Sequence, residues 1–361
     1  MHGFSWENNF LSLPVKIKIT KSYILYFFWS LCFIFSLVFT YYYFLYTNEY
    51  PPGSYQRIAN FQADKVFQTR ILITTIANLL EPSLPVLRIL FQWVVPYPID
   101  YEVILQLINV VFLFLLLLLI HPLAKVLDYE INPISSLFIL IPISWNYIFI
   151  NGLIDGAGLY YPYDIPSLTF FALGTILFVK KQWIYFYPVF CLACLNRESA
   201  CFISIAGFFL TYDLTSKCLT GNIKRNQKII LQVFIQALLW FTSRICLSFV
   251  FRENPGDFFE SPHSTLNFLS NILSQEPHWA MQNPLWFLSL FAGTWIIPLI
   301  NWSQLNSRIK RFLIVGIIYL FTLTLRSNMM ETRVYNELNI IIGIGFICSF
   351  FGKKVMKDLQ S

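Results

Sequence analysis

Charge is what this sequence has least of. Asp, Glu, Lys and Arg make up 12% of its 361 residues, about half the share of a soluble domain. So little charge could not cover a water-exposed surface, which excludes an ordinary soluble enzyme. Glycine is thin as well, at 14 residues. No Gly-rich phosphate cradle, nucleophile elbow or metalloprotease helix occurs, so the usual sequence grounds for nucleotide, serine-hydrolase or zinc-protease chemistry are missing. The seven Cys are an odd number and most lie inside apolar runs. They read as small buried side chains, and no disulfide framework is expected. Of the four His, His263 and His278 share a loop without ligand-like spacing, and Cys191-x-x-Cys194 sits within an apolar run. A metal centre is therefore disfavoured. The net charge is +6, but the basic residues form short blocks between apolar runs rather than one stripe. Nucleic acid is not the expected partner.

What is abundant is apolar and aromatic surface, 57% and 19% of the residues. A bilayer core of about 30 Å needs roughly 20 apolar helical residues. Ten runs approach this: 22–46, 99–120, 133–150, 164–179, 182–195, 200–212, 229–251, 285–302, 312–325 and 338–352. The first is too long for a signal core, and no small-residue cleavage site follows it. With the N-terminus inside, inner segments hold about twice as many Lys and Arg as outer ones, as topology requires. The expectation is an all-α, polytopic transmembrane helical bundle of about ten spans with both termini inside. It forms one integral-membrane domain over 1–361. No internal repeat is visible, and the bacterial plasma (inner) membrane is the expected location.

The two sides differ in kind. Inner basic residues are mostly Lys, whereas the outer ones are nearly all Arg, among them Arg57, Arg70, Arg197, Arg252, Arg326 and Arg333. Lys serves as a point charge that resists translocation, while Arg offers a planar fork for phosphate or carboxylate. Most acids are also outer, so any chemistry is expected to face outward. The first outer loop, 47–98, carries amphipathic stretches around 55–80 and 86–95 that are expected to lie in the interface plane. The second, 252–284, is polar and punctuated by proline.

Within this outer set, Glu49 and Asp64 follow the first span. Each reads either as a general base for an acceptor hydroxyl, its pKa raised by partial burial, or as a solvated loop acid. Asp155, Tyr163 and Asp164 flank a Gly- and Tyr-rich turn, where Asp164 reads as a helix N-cap ahead of Pro166 and the tyrosines as interface or sugar-stacking rings. The runs either side of Asn196-Arg197-Glu198-Ser199 are short. Fourteen residues at about 1.5 Å each rise only roughly 21 Å, which puts Arg197 and Glu198 at membrane depth, where charges pair or line a wet cavity. Glu331, Arg333 and Glu337 cluster in the last outer segment, and snorkelling is the plain alternative for Arg70.

An in-to-out first span, a long first outer loop with an early acid and many short-looped spans resemble the C-type (GT-C) membrane glycosyltransferases. The stretches Phe67-Gln68-Thr69-Arg70-Ile71-Leu72, Tyr163-Asp164-Ile165-Pro166, Asn196-Arg197-Glu198-Ser199 and Glu331-Thr332-Arg333 look like recurring outer-face motifs of uncharacterised bacterial relatives of that group. The resemblance implies a polyprenyl-phosphate-linked sugar donor, a glycan, lipid or protein acceptor, and inverting transfer on the outer face with a first-loop carboxylate as base. An Asp, often beside a second acid, is typical there; this chain has Asn48-Glu49 instead, with Asp64 the nearest Asp. On this reading Glu49 or Asp64 activates the acceptor, and Arg197 and Arg333, with Arg70, hold the donor phosphate. Asp155, Tyr163, Asp164, Glu198, Glu331 and Glu337 complete the substrate site. No certain cofactor is implied, a divalent metal ion being a disfavoured addition. An O-antigen-type polymerase or ligase and a membrane transporter are the alternatives.

Overall fold

The computed structural model describes residues 21–86, 101–154, 159–212, 219–256, 288–326 and 335–355. It is an all-α bundle; the described strands are four two-residue pieces. Helix α1 spans Lys21–Tyr46 and runs into strand β1, Asn48–Glu49. Three short helices follow, α2 (Tyr55–Ala59), α3 (Lys65–Gln68) and α4 (Leu72–Leu80). Then come α5 (Tyr101–Val126), β2 (Tyr129–Glu130), α6 (Leu140–Ser144) and β3 (Leu159–Tyr160). The second half holds α7 (Asp164–Val179), α8 (Trp183–Asn196), α9 (Cys201–Thr211) and α10 (Leu219–Val250). It closes with α11 (Ile296–Ile300), α12 (Ser307–Arg326), α13 (Asn336–Phe351) and β4 (Lys353–Lys354).

Helices α7 and α13 form the core, buried along nearly their whole length. Their apolar residues show no polar stripe because each is surrounded by other helices: α7 packs against α5, α8, α9 and α13. Small residues permit the close approaches that replace a hydrophobic drive between helices in lipid. A Cβ on Gly174 would come within 2.6 Å of Ile203, and one on Gly207 would collide with the Phe178 ring. Helices α1 and α10 lie at the periphery. Their outward faces carry Phe27, Phe33, Ile34, Leu231, Phe234 and Phe249 exposed, a surface suited to hydrocarbon rather than water.

Four helical segments are long and apolar enough to cross a membrane: Tyr23–Tyr46, Tyr101–Val126, Pro133–Ile150 and Asn226–Val250. Five further apolar helices are shorter, Asp164–Val179, Trp183–Asn196, Glu198–Thr211, Leu290–Ile300 and Asn336–Phe351. The run expected over 285–302 is not one continuous helix in its described part. Phe291 and Ala292 adopt left-handed φ of 57° and 55° inside a turn, and α11 begins only at Ile296. The run over 133–150 also departs from a regular α-helix. A 3-10 segment (Pro133–Ile139) precedes α6, and a π-helical stretch (Trp145–Ile154) follows it. Pro142 lies inside this path and cannot donate a backbone hydrogen bond.

Contacts sort the helix ends into two groups. At one end β2 pairs antiparallel with β4, Asn306 donates to the Leu127 carbonyl at 2.8 Å, and Arg308 pairs with Asp128 at 3.1 Å. At the other, β1 pairs parallel with β3, Glu49 opposite Tyr160. Helix α5, 26 residues long, separates these ends by about 39 Å. The first-loop helices do not lie free: α4 packs against α5 and α8 and buries Leu72, Ile73 and Ala77. The expected stretch 86–95 lies almost wholly outside the described residues, as does most of 252–284.

Candidate functional site

Three helical segments begin at the β1–β3 end with an acid in the first turn: Asp164 on α7, Glu198 ahead of α9 and Glu337 on α13. A carboxylate there complements the positive end of the helix dipole. Two arginines meet these acids. Arg197 Nη1 donates to Asp164 Oδ1 at 2.8 Å, with the Asp164 side chain fully enclosed. Arg70 holds Glu198 through two parallel bonds, Nε to Oε2 at 2.9 Å and Nη2 to Oε1 at 2.5 Å. In the turn at 196–199, expected at membrane depth, Arg197 and Glu198 pair with partners from other elements rather than with each other. Asp164 is itself the first residue of α7, and its carboxylate serves Arg197.

Tyr163 sits between the two guanidinium groups. Its hydroxyl accepts from Arg70 Nη1 at 2.6 Å, and the Arg70 and Arg197 guanidinium carbons lie 4.7 and 6.0 Å from its ring centre. Burial opposes the charge on Arg70, and Glu198 more than offsets it, leaving the Arg70 pKa raised. Glu337 accepts from the hydroxyls of Ser199 and Tyr319, the latter on α12. Asn196 donates to the Tyr163 carbonyl at 2.9 Å, and Asn336 to the Asp164 carbonyl at 3.0 Å. The adjoining void, lined by Ser167, Arg197, Ser199, Ile203 and Glu337 among others, offers about 10 Å³ to the centre of a water molecule. That is room for roughly one water and none for a sugar ring.

Glu49 belongs to a second, differently built group. It is half-buried, and its Oε1 is enclosed without an acceptor or donor partner. Burial, then the nearby Glu102 carboxylate, push its pKa up to about 7 against a smaller lowering from the Tyr55 backbone N–H. Glu102 is exposed on the first turn of α5 and accepts the Tyr55 hydroxyl at 2.6 Å. The Tyr55 ring stacks on Tyr101 with centroids 5.6 Å apart, and Tyr101 donates to Asn78 Oδ1 at 2.8 Å, which fixes Tyr55 from behind. An aromatic chain joins the two groups. Tyr50, next to Glu49, contacts Phe67 at 5.5 Å, and Arg70 lies 5.7 Å from the Phe67 ring centre.

The chain matches no family model, no curated protein and no solved structure.

The structure brings together Arg70, Tyr163, Asp164, Arg197, Glu198 and Glu337. Asp64 is elsewhere. It is partly exposed at the start of α3, its backbone N–H bonded to the Pro52 carbonyl at 3.1 Å, and it lies against Gly256. Asp155, Glu331 and Arg333 fall outside the described residues. Sequence reasoning does not single out Glu102, Tyr55, Ser199, Tyr319 or Asn336. For Glu102 a signal existed, an outer acid at the start of a span, but its pairing with a tyrosine 47 positions away leaves no local pattern. Among the described residues no group of three or more His, Cys, Asp or Glu could hold a metal ion.

Proposed function

We propose that this chain is an integral-membrane glycosyltransferase. It would take a sugar from a polyprenyl-phosphate-linked donor and pass it to an acceptor hydroxyl on the extracytoplasmic side of a bacterial plasma membrane. The proposal includes about ten passes, counting the shorter apolar helices, with both termini inside and the β1–β3 end outward. One observation carries the reading: Glu49, just past the end of the first long apolar helix, has an oxygen without a hydrogen-bond partner and a pKa raised to about 7, the value general-base catalysis asks for. Glu49 removes the acceptor proton as the acceptor oxygen attacks the anomeric carbon, and the donor phosphate leaves with the electron pair of the broken bond. Inversion follows from attack opposite the leaving group. Arg70, whose partner Glu198 is 43% exposed, lies on the side where a leaving phosphate can be met. Arg197 is enclosed with Asp164 and supports a scaffold role better than a donor contact.

The test is transfer from a polyprenyl-linked sugar in membranes carrying Glu49→Gln, Asp64→Asn or Arg70→Gln. Full activity in all three rejects the mechanism. A transporter is the second reading, favoured by the enclosed network of opposed charges between helices, a common mark of ion and substrate pathways. Substrate flux without a change in glycan would select it, and chain-length change in a lipid-linked glycan would select a polymerase or ligase.

A further inference from the structure

With Arg70 and Arg197 each committed to a carboxylate, the described guanidinium that stands out within the bilayer is Arg244. It lies on α10, less than two turns before Val250, or about 9 Å along the axis from the outer end of the helix. Its neighbours Phe241 and Ile245 are 59% and 63% exposed on the peripheral face, so Arg244 stands at the boundary between bundle and hydrocarbon. Arg244 Nη2 donates to the Cys194 carbonyl, and its Nε is enclosed without an acceptor. Among the described residues no carboxylate lies within ion-pair distance of it. Glu198, the nearby acid, is held bidentately by Arg70, and its main-chain carbonyl accepts from Trp240 Nε1 at 2.8 Å. Trp240, one turn before Arg244, thus ties this face of α10 to the turn that carries the Arg70 partner.

An unmatched guanidinium at membrane depth is costly, and its planar fork suits phosphate oxygens. We infer that the half-buried Arg244 is an anion site at the rim of the bundle, and that its ligand is the phosphate of an outer-leaflet membrane lipid held against α10 beside the Glu198 turn. On the glycosyl-transfer reading, on which only the lipid's identity rests, that lipid is the polyprenyl phosphate of the donor. The apolar stripe of Phe241, Ile245 and Phe249 gives its chain a surface to lie along.

The test uses full-length protein in detergent with three probes: a long-chain polyprenyl monophosphate, phosphatidylglycerol and inorganic phosphate. Native mass spectrometry counts what each protein molecule retains. The expected result is retention of the polyprenyl monophosphate, weakened about ten-fold or more by Arg244→Gln, the size of a lost charge-assisted hydrogen bond. Equal, Arg244-dependent retention of both lipids upholds the lipid-phosphate site and removes the donor assignment. Unchanged retention in Arg244→Gln overturns the proposal, as does binding of inorganic phosphate with neither lipid held. Should Arg244→Gln fail to fold, Arg244→Lys keeps the charge and loses the fork. It must still weaken retention several-fold, and wild-type retention would count against the site. Transfer is not measured here, so loss of the glycosyl-transfer reading and loss of this site give separate results.

Discussion

Two polar groups lie at the same end of the bundle and are built on opposite plans. Around Tyr163, opposite charges pair, Arg197 with Asp164 and Arg70 with Glu198, and Glu337 accepts from two hydroxyls. Around Glu49, like charge gathers instead: Glu102 lies near enough to raise the Glu49 pKa while accepting the Tyr55 hydroxyl, and Glu49 Oε1 is enclosed without a hydrogen-bond partner. The first arrangement is what a membrane interior demands of charges that hold helices together. The second raises a carboxylate's pKa to about 7.

This contrast can be broken most sharply at Glu49. On the proposed glycosyl-transfer reading, Glu49→Gln should lower transfer by roughly 10²- to 10⁴-fold, while thermal unfolding in detergent stays near that of the wild type. The same variant should change the pH dependence of stability. The folded state raises the Glu49 pKa from 4.5 to about 7, so folding favours the protonated form. Its contribution is complete below about 4.5 and is lost as the pH climbs through 7. Glu49→Gln should flatten that decline.

Arg197→Met should act in the reverse manner, on folding first. It strands the enclosed Asp164 carboxylate, a loss of about 3–5 kcal/mol. The expected outcome is a steep drop in folded protein recovered from membranes, with partial recovery when Asp164→Leu is added. A single variant that folds normally would remove the scaffold assignment. Arg70→Lys keeps the charge but gives up the parallel bonds to Glu198 and the bond to Tyr163, at about 1–2 kcal/mol, read as a lowered unfolding midpoint. Glu102→Gln removes the like charge beside Glu49, so the rising limb of the pH–rate profile should move to lower pH with little change in the plateau. An unmoved limb would detach Glu102 from the site. Smallest of all is the exposed pair of Arg252 and Glu253, whose removal should leave unfolding unchanged.

The long apolar runs made part of this fold legible in advance. The run at 22–46 appears as α1 from Lys21 to Tyr46, and that at 182–195 as α8 from Trp183 to Asn196. Other ends were hidden by composition. Helix α5 continues through His121 and Pro122 to Val126, and α10 begins at Leu219, ten residues before its apolar run, because helix can extend beyond hydrocarbon into polar sequence. The break at Phe291 and Ala292 runs on into Gly293, also left-handed at φ 67°, and that glycine was its one local signal. At the site, residue types were readable and partners were not. Arg70 and Glu198 stand 128 positions apart and Ser199 and Glu337 stand 138 apart, and nothing in a linear pattern says which acid answers which base.

The order in which the Tyr163 network is synthesised has a consequence for biogenesis. Asp164 and Arg197 lie at the two ends of the α7–α8 hairpin away from its turn, so the two charges can be inserted already neutralised by each other. Glu337 arrives last, on α13, and meets hydroxyls on segments already inserted. A ribosome stalled before α13 would leave a hairpin that is electrically at rest, with one empty berth between Ser199 and Tyr319.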